Sequence, residues 1–332
     1  MCCFFQHTKI YYRWNNQYYY RFGGSLHNIN KRYLIWHSDD LGTQYGGNEG
    51  ILEAATNGFL TSVSIRANGI AFEDAYKRII PLCPQLGLGV HICLNEGNVI
   101  SPPHLVPLLA DKSGHFLNVG PIGFIRLALS GANKELKKQA EIEMRHQIET
   151  IINALNTTEG IDHIDGHQHI HAIPWVFKIL LKLAQEYCIP FIRIPCEPLV
   201  YKTIKVHIPP LINLGHYCNL QLYSYFNKKN LKKTNINSND YFFGLLHTNA
   251  MSEDVAINLL ENIKEREGIT EFLFHPAKIV QEPIYIEKYQ KEFYLSPNRK
   301  KELEACCSQN VRNTIIKYNY ELTNFRNLKS EF

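Results

Sequence analysis

From Tyr33 onward the chain alternates short apolar runs with segments of helical period. Tyr33 to His37 (YLIWH) predicts a buried strand, followed by a turn and a helix over Asn48 to Thr56. Phe59 to Ile65 and Leu86 to Leu94 (LGLGVHICL) are the next strands, with a helix over Ala71 to Ile80 between them. Ile161 to His167, Phe191 to Ile194, Tyr241 to Leu246 and Glu271 to Phe274 continue the series. Helices are expected over Asn133 to Leu155, after the first-turn proline Pro174, from about Ser252, and after Ser296-Pro297. Behind Pro174, Val176, Leu180, Leu183, Ala184 and Tyr187 share one helical face. Strand-then-helix repetition implies a parallel sheet with helices outside it, either open or closed into a barrel.

Two stretches break the rhythm. Asn95 to about Ala132, with Pro102-Pro103, and Leu199 to Asn239 are too long and irregular for ordinary connections, so both read as insertions. Residues 1–32 mix aromatic, polar and basic side chains without the continuous apolar core of a signal peptide. They read as a poorly ordered extension, which leaves 33–325 as one folded domain.

Composition narrows the class. Of 332 residues 45% are hydrophobic and 20% charged, the balance of a globular protein. A net charge of +4 is too weak to argue for nucleic acid, and Lys228 to Lys233 (KKNLKK), set among Asn and Ser, reads as a solvated loop. Nine cysteines without a CxxC suit neither a disulfide framework nor a zinc ribbon, and fit reduced thiols in the cytoplasm. No run of ~18 apolar residues is present to span a membrane.

The chemistry gathers at strand ends. The first strand closes in Ser38-Asp39-Asp40-Leu41-Gly42. Adjacent carboxylates there are costly to bury without a positive neighbour, although Asp-Asp before glycine also starts turns. His91 lies between Val90 and Ile92 near the end of the third strand, where a core histidine is the plainer alternative. In His163 to His171 (HIDGHQHIH) a polar ligand-type residue occupies every second position. An extended chain would project all five to one face over roughly 26 Å, so only one or two could reach a single ion. His275-Pro276 ends the last strand. Asp, His, His and His delivered by four strand ends is what a catalytic rim on a barrel requires. Two histidines with one carboxylate leave coordination positions open for water and substrate.

These residues fall within SDDLG (38–42), NEGILEAATNGFLTSVS (48–64), LGVHICLNEG (88–97), HIDGHQHIHAIP (163–174) and FLFHPA (272–277), with weaker matches at FIRIPCEP (191–198) and FFGLL (242–246). In these motifs, from about Tyr33 to Phe325, the chain resembles the YdjC-like carbohydrate deacetylases, the ChbG/HpnK family. The resemblance implies a distorted, TIM-barrel-like (β/α) barrel that removes N-acetyl groups from amino sugars with one divalent ion, magnesium preferred and zinc the alternative. By position, Asp40, His91 and His167 look like the metal ligands, Asp39 like the general base, and His275 like the group that protonates the departing amine. Ser38, Leu41 and the following TQYGG depart from the family's usual motif, which bears on substrate recognition and leaves the ligand set intact. The expected partner is an N-acetylated sugar, with a homodimer compatible and nucleic acid not expected. The rival readings are another metal-dependent amidohydrolase or phosphoesterase, and a non-catalytic sugar-binding relative.

Overall fold

The computed structural model describes residues 10–14, 17–22, 25–28, 31–157, 160–278 and 291–329. Within the stretch read as an extension, β1 (Ile10–Trp14), β2 (Gln17–Phe22) and β3 (Ser25–Asn28) form an antiparallel meander that is a sheet of its own. Residues 1–9 lie outside the described residues.

The domain is built on β4 (Arg32–Leu41), β5 (Ser62–Ile65), β6 (Gly87–Ile92), β7 (Ile161–Gly166), β8 (Phe191–Ile192), β9 (Tyr241–Phe243) and β10 (Gly268–Phe274). They run parallel in the order β8-β7-β6-β5-β4-β10-β9, with helices between them in sequence, and the sheet curls into an α/β-barrel-like fold. The outer strands approach each other through a parallel bridge between Phe191 and Asn237. Beyond it the Asn239 side chain stands in for a strand, accepting from the Ile194 N–H at 2.9 Å and donating to the Ile194 carbonyl at 2.9 Å. A short β11 (Glu321–Thr323), absent from the sequence reading, pairs with the lower half of β4.

Strand alternation sorts the core into two environments. Leu34, Trp36, Val63, Ile65, Leu88, Val90, Ile164, Phe272 and Phe274 belong to the large core shared with the helices. Tyr33, Ile35, Phe191 and Ile269 face inward and close the barrel floor against Phe325 and Leu328. Above that floor the inward positions turn polar: His37, Asp39, His163, Asp165, Arg193 and Glu271 are all buried. β6 makes room for them with glycine, since a Cβ on Gly89 would collide with the His163 imidazole.

The first insertion and the residue that follows β6, Cys93, are stapled to the Lys134–Leu155 helix by three polar residues spaced four apart. Gln139 accepts from the Leu108 N–H, Glu143 from Ile100 and Ser101, and Gln147 from Cys93, at 2.7 to 2.9 Å. In the second insertion a helix runs over Leu211–Leu231, so Lys228 and Lys229, read as loop, belong to its last turn.

Gly89→Ala should therefore lower stability by about 1–3 kcal/mol, the usual cost of forcing extra volume into a packed interior. A melting temperature equal to that of the wild type would show that the His163 ring has space to move aside.

Candidate metal centre

β4 breaks its own alternation at the functional end. The ladder with β5 shifts register between Ser38 and Leu41, and Asp40 adopts φ 68°. Aspartate tolerates this left-handed conformation better than most residues. The turn expected near Gly42 thus begins at Asp40 itself, which lets two adjacent carboxylates serve one site. The Thr43 N–H donates to the Asp40 carbonyl at 3.0 Å, and the Thr43 hydroxyl reaches its carboxylate at 3.3 Å. Asn48 holds the turn from behind, accepting from the Gly42 N–H at 2.8 Å.

The histidine row does not stay extended. β7 ends at Gly166, and 167–172 form a 3-10 turn in which Gln168 and His169 both take positive φ. This corrects the picture of five side chains on one face. His163 and Asp165 point into the barrel, His167 turns toward Asp40, and His171 is buried with Nε2 3.2 Å from the Arg193 carbonyl oxygen. At the end of β10, the His275 N–H donates to Glu302 at 2.5 Å and its carbonyl accepts from Arg299 at 3.0 Å. Gly50 lets the Tyr45–Thr56 helix press against the backbone of Pro276 and Ala277 beside it.

Asp39, Asp40, His91, His167 and His275 all line one cavity of about 580 Å³. Asp40 Oδ1 lies 3.2 Å from His167 Nδ1 and 3.5 Å from His91 Nε2, and these three side chains can converge on a single ion. The donor set fits a divalent cation. His91 Nδ1 lies 2.8 Å from Asp165, which fixes the ring, while the buried Nε2 has no hydrogen-bond partner. A carboxylate behind a histidine whose other nitrogen stands free is the usual support of a metal-ligating imidazole. His167 is backed in the same way, with Nε2 2.7 Å from Glu96.

Two other clusters, His37–His163–Asp165 and Asp39–His91–Asp165, have ligand-like spacing. Both share carboxylates with Arg193, whose NH2 group lies 2.8 Å from Asp39 and 2.8 Å from Asp165. A guanidinium already serves as the cation there. Arg193 also pairs with Glu271 at 2.7 Å, and Arg66 neutralises Glu96 in a separate buried pair.

This arrangement sets the protonation states. Burial opposes the Asp39 charge, yet Arg193, followed by His91 and His37, holds its pKa well below the carboxylate range. Burial opposes the Asp40 charge too, and His167 and then His91 lower its pKa despite that. Burial pushes the His167 pKa down, but Glu96 and Asp40 raise it well above the usual value. A cation in this triad therefore competes with a proton on His167.

The sequence reading passed over Arg193, Glu271 and Glu96 as functional groups, and gave Asp165 only as one member of the ligand-type row from His163 to His171. Arg193 and Glu271 carried a usable signal, each being a charge inside an otherwise apolar strand segment.

The YdjC-like family model matches residues 33–317. The chain belongs to the YdjC-like family. The carbohydrate deacetylase of Thermoanaerobacter pseudethanolicus is 26% identical over 90% of this chain and 100% of its own length. That of Geobacillus stearothermophilus is 30% identical over 75% of this chain and 80% of its own. The chitooligosaccharide deacetylase of Proteus mirabilis is 24% identical over 89% and 98%. A crystal structure of a candidate cellobiose-phosphate cleavage protein from Enterococcus faecalis superposes with a TM-score of 0.67 at 22% identity, covering 90% of this chain and 99% of that one. It shares the fold. In this YdjC-like chain Ser38 is buried and spends its hydroxyl on the Asp39 carbonyl at 3.1 Å.

His37 gives a testable consequence. Burial and Arg193 push its pKa down, but hydrogen bonds to Asp165 and Asp39 and the charge of Glu271 bring it up from 6.5 to about 9. A group raised on folding contributes stability that is complete below its unfolded pKa and lost as pH rises through the folded one. The melting temperature of metal-free protein should therefore fall as pH rises from about 6.5 through about 9. His37→Gln should be less stable at the lower end and should show a shallower fall across that window, the remaining slope coming from His167, whose pKa is also raised on folding. Parallel profiles for the two proteins would mean that His37 is uncharged.

Proposed function

We propose that this protein hydrolyses the N-acetyl group of an amino sugar or N-acetylated oligosaccharide, using one divalent cation held by Asp40, His91 and His167. The observation that carries the reading is the buried His91 Nε2, which lacks a hydrogen bond and faces Asp40 within a cavity that also exposes Asp39 and His275. The relatives named carbohydrate deacetylases supply the reaction class. A divalent cation there contributes Lewis acidity toward water and the acetyl carbonyl.

The protein groups divide the remaining work. Asp39 takes the proton of the attacking water, kept ionised and fixed by Arg193. His275 protonates the departing amine, its position set by Glu302 and by Phe293, whose ring meets it edge-on at 5.1 Å. Phe124, Leu245, Leu273 and Phe293 give the cavity apolar walls for the acetyl methyl and the C–H faces of a sugar. Asn213, Asn219 and Thr248 offer hydroxyl-matching donors and acceptors.

No Lys or Arg is among the described residues lining the cavity, which favours a neutral acetylated sugar over a phosphoester. Magnesium remains the ion expected from the resemblance, although two imidazole donors suit zinc and its neighbours better. The described cysteines are free thiols, in keeping with a cytoplasmic setting.

Acetate release from N-acetylated sugars, with each metal added in turn, tests the activity. Asp39→Asn should keep the ion and lose about 10²- to 10⁴-fold in rate, the usual loss for a general base. Asp40→Asn keeps a residue that tolerates positive φ, so it should lose ion affinity without losing the fold, and excess cation should partly restore turnover. Near-wild-type turnover by Asp39→Asn would remove the base assignment. Release of phosphate rather than acetate would favour the rival hydrolase.

A further inference from the structure

The cavity opens between two helices whose outer faces are the wrong polarity for water. Gly120–Leu129 lines it through Phe124 and Ile125, and Leu211–Leu231 lines it through Asn213, Gly215, His216 and Asn219. The helices meet where Phe124 packs edge-on against His216 at 4.8 Å. On the side turned away from the protein, the first exposes Ile122 and Leu129, at 65% and 80%. The second exposes Leu211, Leu214, Leu222, Tyr225 and Phe226, which at the helical period fall along one stripe. Leu199, Tyr201, Val206 and Ile208, from the segment leading into that helix, add to the same exposed set. An amphipathic helix normally turns such a stripe inward.

The charge on these elements has one sign. Between Glu197 and Asp240 the chain carries six lysines (Lys202, Lys205, Lys228, Lys229, Lys232 and Lys233) and no carboxylate, which exceeds the net charge of +4 on the whole molecule. Between Asp111 and Glu135 it carries Lys112, Arg126 and Lys134, again with no carboxylate. Lys202, Lys205, Lys229, Lys232 and Lys233 are exposed. Lys229 lies 4.1 Å from the Tyr225 ring centre, at the end of the apolar stripe.

Apolar and aromatic side chains flanked by lysines, without acidic residues, match the interface of an anionic lipid bilayer. The apolar groups enter the boundary between headgroups and acyl chains while the lysines meet lipid phosphates and carboxylates. We propose that the face around the cavity mouth is a peripheral docking surface for anionic membranes, which brings the site to acetylated sugars carried at a lipid surface. No helix among the described residues is long and apolar enough to cross a membrane, so the association is reversible and confined to the interface. A second copy of this chain fits less well, because a symmetric contact through these elements would bring lysines together with no carboxylate on them to receive the charge.

Co-sedimentation of the full-length protein with phosphatidylcholine vesicles, with and without phosphatidylserine and at low and high salt, tests this. The wild type should bind the phosphatidylserine vesicles at least tenfold better and be released by salt. Leu222→Glu combined with Phe226→Glu, and separately Lys229→Glu combined with Lys233→Glu, should each reduce binding at least tenfold. None of these four residues lines the cavity, so acetate release from a soluble sugar should stay at the wild-type rate. Wild-type protein that remains in the supernatant, or binds both vesicles equally, overturns the proposal. So does a wild-type dimer that ignores vesicles and becomes monomeric in the Leu222→Glu, Phe226→Glu variant. Sedimentation needs no turnover, so its outcome is independent of the deacetylase reading.

Discussion

The barrel interior depends on the guanidinium of Arg193. It lies within 3.0 Å of oxygens on Asp39, Asp165 and Glu271, in a layer where all four side chains are buried. A buried carboxylate costs several kcal/mol unless it is paired, and three of them crowd one cross-section here. Arg193 removes most of that cost, and His37 adds positive charge from β4. The consequence passes outward by contact. Asp165, fixed by Arg193, holds His91 Nδ1, and that fixes which nitrogen His91 turns toward Asp40. A charge in the middle of the barrel thus determines the geometry at its rim.

The same layer separates two chemically identical neighbours. Asp39 keeps the inward direction of its strand and falls under Arg193, whereas Asp40 leaves the strand at positive φ. Among the described residues the ion pairs of Asp40 are with imidazoles alone. One carboxylate therefore has a permanent cation, and the other faces two imidazoles that can join it in holding a metal. Environment, more than residue type, suits them to different tasks.

Much of this was legible in the sequence because strand ends at one edge of a parallel sheet concentrate chemistry, and the residues that matter there are few and unusual. Asp39, Asp40, His91 and His275 could be picked out on that ground, His167 was singled out of its row by the family resemblance, and all five line one cavity. The supporting layer was harder to see. Arg193 in FIRI and Glu271 in EFLF looked like parts of apolar runs, and their pairing becomes visible only when β8 and β10 are placed across one barrel. The histidine row misled because alternation was extended past Gly166, where β7 ends; the turn that follows takes its left-handed conformations at Gln168 and His169, residue types that do not announce them as glycine would. The Leu211–Leu231 helix was obscured for another reason. It carries apolar residues on its buried and exposed faces alike, so the periodic contrast that reveals an amphipathic helix is cancelled. Short β11 and the Phe325 turn are fixed by packing beneath the barrel, a contact that local pattern does not encode.

The central claim is that the cation site lies at the rim, between Asp40, His91 and His167, and that Arg193 excludes metal from the clusters beneath it. Crystals of protein loaded with zinc or manganese, measured at the absorption edge of the metal, address both halves of the claim at once. A single anomalous peak bounded by those three side chains, with Arg193 still paired to Asp39 and Asp165, is the predicted result. A peak among His37, His163 and Asp165, or no peak within the cavity, would contradict it.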